Sequence, residues 1–150
     1  MSALIDFPVG VRRGPGRVLE RKVAFDPASA AVPLLREADR ALLEAEWEAE
    51  PTGKFTSAYL AALRGAAAML ALRGRPHRGR SKPTSAWLLL SKVAPELGEW
   101  AEIFAAVSPV NAAVSAGIHK PMTPGFAEDM VRKTGQFLAV VERAMTQREP

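Results

Sequence analysis

Residues 87–104, WLLLSKVAPELGEWAEIF, set apolar side chains at the spacing of a helix bundle. The steps between successive apolar positions are three, four, three, four and three residues: Trp87, Leu90, Ala94, Leu97, Ala101 and Phe104. This alternation keeps one side of a helix apolar and suits helices that cross at about 20°. Pro95 lies within the run, and proline in a helix interior costs about 3 kcal/mol. We therefore predict a helix here that kinks or breaks near residues 92–94.

Helical periodicity extends over most of the chain on either side of this stretch. Asp26 and Pro27 form a helix-start signal, because an N-cap is followed by proline at the first helical position. The predicted helices span about 27–50, 54–73, 83–108 with its break, 109–116 and 124–147. No alternating strand pattern occurs between them. The prediction is an all-α, antiparallel bundle of four to five helices over residues 26–150.

Residues 1–25 have a different character. Glycine and proline at positions 10, 14, 15 and 16 interrupt any helix, yet the segment is too apolar for an ordinary solvated tail. We predict an irregular N-terminal arm that docks on this domain or on a larger protein. The residues expected to make that contact are apolar or basic: Leu4, Ile5, Phe7, Arg12, Arg13 and Arg17.

The composition excludes several kinds of chemistry. The 150 residues suit one domain and include no cysteine, which removes thiolate nucleophiles and cysteine-ligated zinc. His77 and His119 lack neighbouring ligands, so we expect neither a metal nor a cofactor. Phosphate-loop and serine-hydrolase motifs are missing. The N-terminus lacks a signal-peptide pattern, and the apolar runs are too short for a membrane span, which predicts a cytoplasmic protein without membrane contact.

The positive charge is gathered in two short segments. Residues 1–25 carry five basic and two acidic residues, a net charge of +3, and residues 73–82 carry five basic residues and no acid. The whole chain has a net charge of +4, so the residues outside these segments sum to −4. Clustering of this kind suits attraction to phosphate groups. The alternative is that both segments are solvated, with the second pairing with acidic residues near the end of the first helix.

The segment 73–82, which we call the basic segment, precedes a predicted helix start. Free backbone N–H groups at a helix N-terminus bind anions, and the forked guanidinium of arginine matches phosphate. The predicted site for the phosphate backbone of RNA or DNA comprises Arg73, Arg75, His77, Arg78, Arg80, Lys82, Thr84 and Ser85. No aromatic side chain lies within 73–82, so base stacking is not expected.

Two stretches resemble a known family. Residues 59–70, YLAALRGAAAML, and 85–100, SAWLLLSKVAPELGEW, flank the basic segment and resemble the small HEPN-domain proteins of actinobacteria. The resemblance covers about residues 33–145 and excludes the arm. It implies a four- or five-helix bundle that is commonly a homodimer. Many members of this family are ribonucleases, and others are binding modules without catalysis.

The resemblance also implies a catalytic pattern, from which this sequence departs. Active HEPN ribonucleases place four to six residues between an arginine and a following histidine. The positions at that distance before the two histidines are Leu70, Ala71 and Leu72, and Ala112, Ala113 and Val114. Neither histidine has the arginine, and Arg73 is separated from His77 by only three residues.

Three hypotheses follow. The first is a noncatalytic binding or assembly module that contacts nucleic acid or a protein through the basic segment and the arm. The second is a ribonuclease with a non-standard site formed by Arg73, Arg75 and His77. The third is a structural partner protein whose basic segments are inert.

Overall fold

A computed structural model describes residues 26–74, 85–118 and 120–147. The helices are α1 Pro27–Trp47, α2 Pro51–Arg73, α3 Ser85–Val93, α4 Gly98–Ser115 and α5 Pro124–Thr146, with a single 3-10 turn, Pro95–Leu97, between α3 and α4. These ranges contain no strand, and the all-α bundle predicted from the sequence is confirmed.

The apolar stretch 87–104 forms the centre of the core as predicted. All six of its spaced apolar residues are buried. The helix breaks where Pro95 requires it, because α3 ends at Val93 and the 3-10 turn begins at Pro95. The turn lets α4 fold back along α3, which brings the rings of Trp87 and Phe104 to a centroid distance of 5.1 Å.

The boundary between α1 and α2 differs from the prediction. The first helix ends at Trp47 rather than near Glu50, and the second begins at Pro51 rather than Lys54. Proline restricts the preceding residue to an extended conformation, and Glu50 has ψ of 126°. The same proline suits the first position of a helix, where its missing N–H has no intrahelical role. Pro51 therefore starts α2, whereas α1 has already ended at Trp47, since Glu48 is extended with ψ of 127°.

Pro109 was expected to end the central helix, and this prediction was wrong. α4 continues through Pro109 to Ser115, so no separate helix begins there. Val107 and Val110, on either side of the proline, pack against the core. We attribute the unbroken helix to this packing on both sides, which offsets the backbone hydrogen bond that proline removes.

The helix directions follow from pairs of contacts. Lys54 donates to the Ala45 carbonyl and Arg64 pairs with Glu37, so α1 and α2 are antiparallel. The Thr134 hydroxyl midway along α5 donates to the Ala58 carbonyl in the first half of α2 over 3.3 Å, and Leu72 and Met145, at the ends of the same two helices, share a small apolar cluster. α2 and α5 therefore run in the same direction, with α1 antiparallel to α2.

Gly65 allows α5 to approach α2 closely, as its small-residue surroundings predicted. A Cβ atom at Gly65 would lie 2.5 Å from Cδ2 of Leu138, whereas one at Gly135 would meet Leu42 at an ordinary 3.8 Å. We expect Gly65→Ala to lower the free energy of unfolding by about 1–2 kcal/mol, since overpacking outweighs the helix gain. Gly135→Ala is the control and should raise it by about 0.5–1 kcal/mol. Chemical unfolding of both variants checks this, and equal stabilisation would contradict the close approach.

Among the described helices, α2 alone is long and apolar enough to cross a membrane by length and composition. Within its most apolar window, 61% is buried inside the protein. It packs against α1 on one side and α5 on another. This burial is consistent with the central helix of a soluble bundle.

Candidate functional site

The predicted phosphate site belongs to the segment that connects the end of α2 to the start of α3. Arg73 is the last residue of α2, and Ser85 is the first residue of α3. The other predicted members lie outside the described residues, as does the side chain of Ser85: Arg75, His77, Arg78, Arg80, Lys82 and Thr84. The arm residues lie outside them too: Leu4, Ile5, Phe7, Arg12, Arg13 and Arg17.

Arg73 has a structural role in this arrangement. Its Nη2 donates to Oε2 of Glu96 over 2.6 Å, and its Nη1 donates to the Val93 carbonyl over 3.3 Å. The hydrogen bond from Arg73 is the main reason that the pKa of Glu96 lies below its ordinary value. Any stabilisation from this pair is present at neutral pH and is lost as the pH falls through the pKa of Glu96. The guanidinium thus ties the end of α2 to the end of α3.

A second contact holds the start of α3. The indole Nε1 of Trp87 donates to the Tyr59 hydroxyl over 2.9 Å, and both residues are buried. Together with Arg73 and Val93, this contact shows that α3 lies alongside α2 and points the same way. Both helices that flank the basic segment are therefore fixed to the bundle.

Arg143 lies at the same end of the bundle and was not selected from the sequence. It lines a cavity of about 290 Å³ together with Arg73, Glu96 and Gln147. The sequence feature that could have identified Arg143 is its position as a basic residue in the last turn of the last helix, where a positive charge is favourable. We call this end of the bundle, where α2 and α5 finish, the basic end.

The opposite end carries four glutamates without a basic residue among them: Glu44, Glu46, Glu48 and Glu50. We call it the acidic end. Their place near the end of α1 is unfavourable for the helix dipole, and from the sequence we expected either fraying or a nearby basic group. That group is Lys54, whose Nζ donates to the Ala45 carbonyl over 2.9 Å and lies 3.8 Å from Oε2 of Glu128.

The two ends are well separated. Lys54 and Arg73 are 19 residues apart on one helix, which corresponds to about 29 Å along its axis. Arg73 itself therefore cannot reach the glutamates at the end of α1. The start of α3, by contrast, lies beside Tyr59 in the first half of α2. This separation therefore applies to Arg73 and not to the whole basic segment.

Lys54 offers a test of the acidic end. We expect Lys54→Met to lower the free energy of unfolding by about 1–3 kcal/mol, because the carbonyls of Ala45 and Glu46 lose their charged hydrogen-bond donor. The control is Lys133→Met, which removes a partly exposed pair with Asp129 and should cost less than about 1 kcal/mol. Urea unfolding of both variants measures the difference. Equal losses would show that the Lys54 hydrogen bond contributes no more than a surface pair.

The described part of the chain holds neither a cluster of metal ligands nor a histidine. Residues 26–74, 85–118 and 120–147 contain no group of three or more histidine, cysteine, aspartate or glutamate side chains that could hold a metal ion. His77 and His119 both lie outside these ranges.

Comparison with known proteins gives one match. The model of a family described as HEPN_SAV_6107-like HEPN matches residues 45–142, which is more than half of the chain. The matched region begins near the end of α1 and extends into the last turns of α5. No curated protein and no solved structure matches the chain.

Proposed function

The chain belongs to the SAV_6107-like HEPN family, and from that premise we propose that it is a noncatalytic cytoplasmic module that binds the phosphate backbone of nucleic acid through its basic segment. The observation that carries this proposal is the placement of charge. Five basic residues and no acid occupy 73–82, between two helix ends that are fixed to the bundle. The four glutamates near the end of α1 are out of reach of Arg73, at the other end of α2.

Fixed flanking helices favour binding for a physical reason. Ordering a segment around a ligand costs conformational entropy, and anchored ends leave less of it to be lost. The N-terminus of α3 adds backbone N–H groups that favour anions. Arg73 holds this end together, so the proposal assigns phosphate contact mainly to the other cations of the basic segment: Arg75, Arg78, Arg80 and Lys82.

Two observations support binding without cleavage. The spacing between arginine and histidine that active HEPN ribonucleases use is missing around His77 and His119. In addition, Arg73, which the non-standard ribonuclease hypothesis requires, donates to Glu96 and to a backbone carbonyl. A guanidinium engaged in this way is poorly placed to stabilise charge on a reacting phosphate.

The arm and a second copy of the chain complete the proposal. Residues 1–25 have a net charge of +3 and add basic groups that nucleic acid would attract. Homodimerisation, which the family resemblance implies, remains part of the proposal. Sedimentation across a range of protein concentrations tests it independently of nucleic acid.

The discriminating experiment follows a labelled single-stranded RNA for both binding and integrity. The wild-type chain and His77→Ala should bind the RNA with equal affinity and leave it intact, because a noncatalytic site does not depend on one histidine. Cleavage by the wild type that His77→Ala abolishes would instead establish the ribonuclease. If neither protein bound the RNA, the third hypothesis, a structural partner protein with inert basic segments, would be favoured.

A further inference from the structure

An apolar groove lies at the acidic end of the bundle. It has a volume of about 670 Å³ and lies between the second half of α4 and the start of α5. Val110, Val114, Met122 and Phe126 supply much of its wall, with Ile118 at 72% exposure. A volume of this size falls in the range of ligand pockets, about 300–1,000 Å³.

The groove is open among the described residues, and its chemistry indicates what would fill it. Its lining is apolar apart from Thr123 and one ionisable side chain, Lys120. Exposed apolar surface gathered in a concave site is typical of protein contacts. An occupant should therefore present several apolar side chains and one carboxylate.

Residues 4–9 of this chain, LIDFPV, have that composition. Apolar residues surround a single acid, Asp6, which complements Lys120. Pro8 limits backbone freedom and lowers the entropy lost on docking. The basic residues that follow in the arm, at positions 12, 13 and 17, complement the glutamates of the acidic end.

The arm is long enough to reach the groove. Ala31 near the start of α1 belongs to the same apolar cluster as Met145, so the arm joins the bundle at the basic end. Phe126 is 19 residues from Met145 along α5, or about 29 Å. Between Val9 and Asp26 there are 17 residue steps, which span up to about 56 Å when extended.

The groove also adjoins the acidic end directly. The ring of Phe126 stacks on Phe55 at a centroid distance of 5.5 Å, and the neighbouring Lys54 donates to the carbonyls of Ala45 and Glu46. A chain leaving the groove past Phe126 therefore meets the glutamates at the end of α1. We propose that residues 4–9 dock in this groove of their own chain, with the basic part of the arm lying against the acidic end.

Crosslinking tests this proposal cleanly because the chain has no cysteine. One variant of the full chain carries Ala3→Cys with Ser115→Cys, beside the groove on α4. The matched control carries Ala3→Cys with Thr146→Cys, at the end of α5 where the arm joins. A short bismaleimide should link the first pair in high yield within a single chain and the second pair only weakly.

The two cysteine pairs report different positions of the arm. Without docking, the site nearer the point of attachment, Thr146, would react more, so a higher yield there would overturn the proposal. Links at Ser115 that join two chains rather than one would overturn it too. Adding Ile118→Glu to the first pair should reduce its yield severalfold, since Ile118 is exposed and its replacement leaves the core intact. An unchanged yield would show that the groove is not the site. An arm docked in this way would not add its basic groups to nucleic-acid binding, but phosphate binding by the basic segment is independent of all these outcomes.

Discussion

Trp87→Ala should lower the free energy of unfolding by about 3–5 kcal/mol, which is the usual loss for a large aromatic removed from a core. Trp87 is 3% exposed and contacts three aromatic rings, with centroid distances of 5.1 Å to Phe104, 6.1 Å to Tyr59 and 6.3 Å to Phe137. The substitution also leaves the Tyr59 hydroxyl without its hydrogen-bond partner. Typical domains are stable by about 5–15 kcal/mol, so this variant should unfold at much lower urea concentrations.

Leu88→Ala is the matched control, because it lies one residue away on the same helix and is 57% exposed. Its effect should stay within about 1 kcal/mol. Far-ultraviolet circular dichroism measures unfolding in both variants without relying on tryptophan fluorescence. If the two variants lost similar stability, Trp87 would not be the centre of the core.

Neutralising four cations of the basic segment should remove most nucleic-acid binding. The variant carries Arg75→Gln, Arg78→Gln, Arg80→Gln and Lys82→Gln and retains Arg73, whose loss would break the connection between α2 and α3. Each phosphate contact to a single strand releases about 0.7 counterion. Four contacts then contribute roughly 2.3 units to the logarithm of the RNA-binding constant at about 0.15 M salt. Losing them should lower the affinity about 200-fold.

The control changes the same amount of charge elsewhere. Arg36, Arg40, Arg132 and Lys133, all replaced by glutamine, lie on the surfaces of α1 and α5 rather than in the basic segment. This protein should bind the RNA within about threefold of the wild type, since long-range attraction is screened beyond about 8–10 Å. Fluorescence anisotropy with a labelled RNA measures both variants. An equal loss in the control would mean that net charge, and not the basic segment, determines binding.

Periodicity predicted the core because burial follows local spacing in a helix. The six apolar positions of 87–104 and the small surface around Gly65 could both be identified without a structure. Spacing was less informative for α1. Leu43 and Trp47 are four residues apart, yet Trp47 is 82% exposed, because the buried side of α1 is formed largely by alanines.

The contacts of charged residues could not be predicted in the same way. Arg73 pairs with Glu96, 23 residues away, and Lys54 donates to carbonyls of the preceding helix. These partners depend on how helices pack, which local spacing does not determine. The sequence identified the basic segment correctly as a concentration of charge, but it gave Arg73 the same role as its neighbours. The structure shows that Arg73 holds the end of α2 to the end of α3.

The salt dependence of RNA binding tests the central claim most directly. Affinity of the wild-type chain is measured between about 50 and 200 mM salt, together with that of the variant lacking the four cations. We expect log K of the wild type to fall with log salt with a slope steeper than that of the variant by about 2.8, the contribution of four phosphate contacts. Any slope that the variant keeps would come from cations outside positions 75–82. The same slope for both proteins, or no salt dependence in the wild type, would contradict phosphate binding by the basic segment.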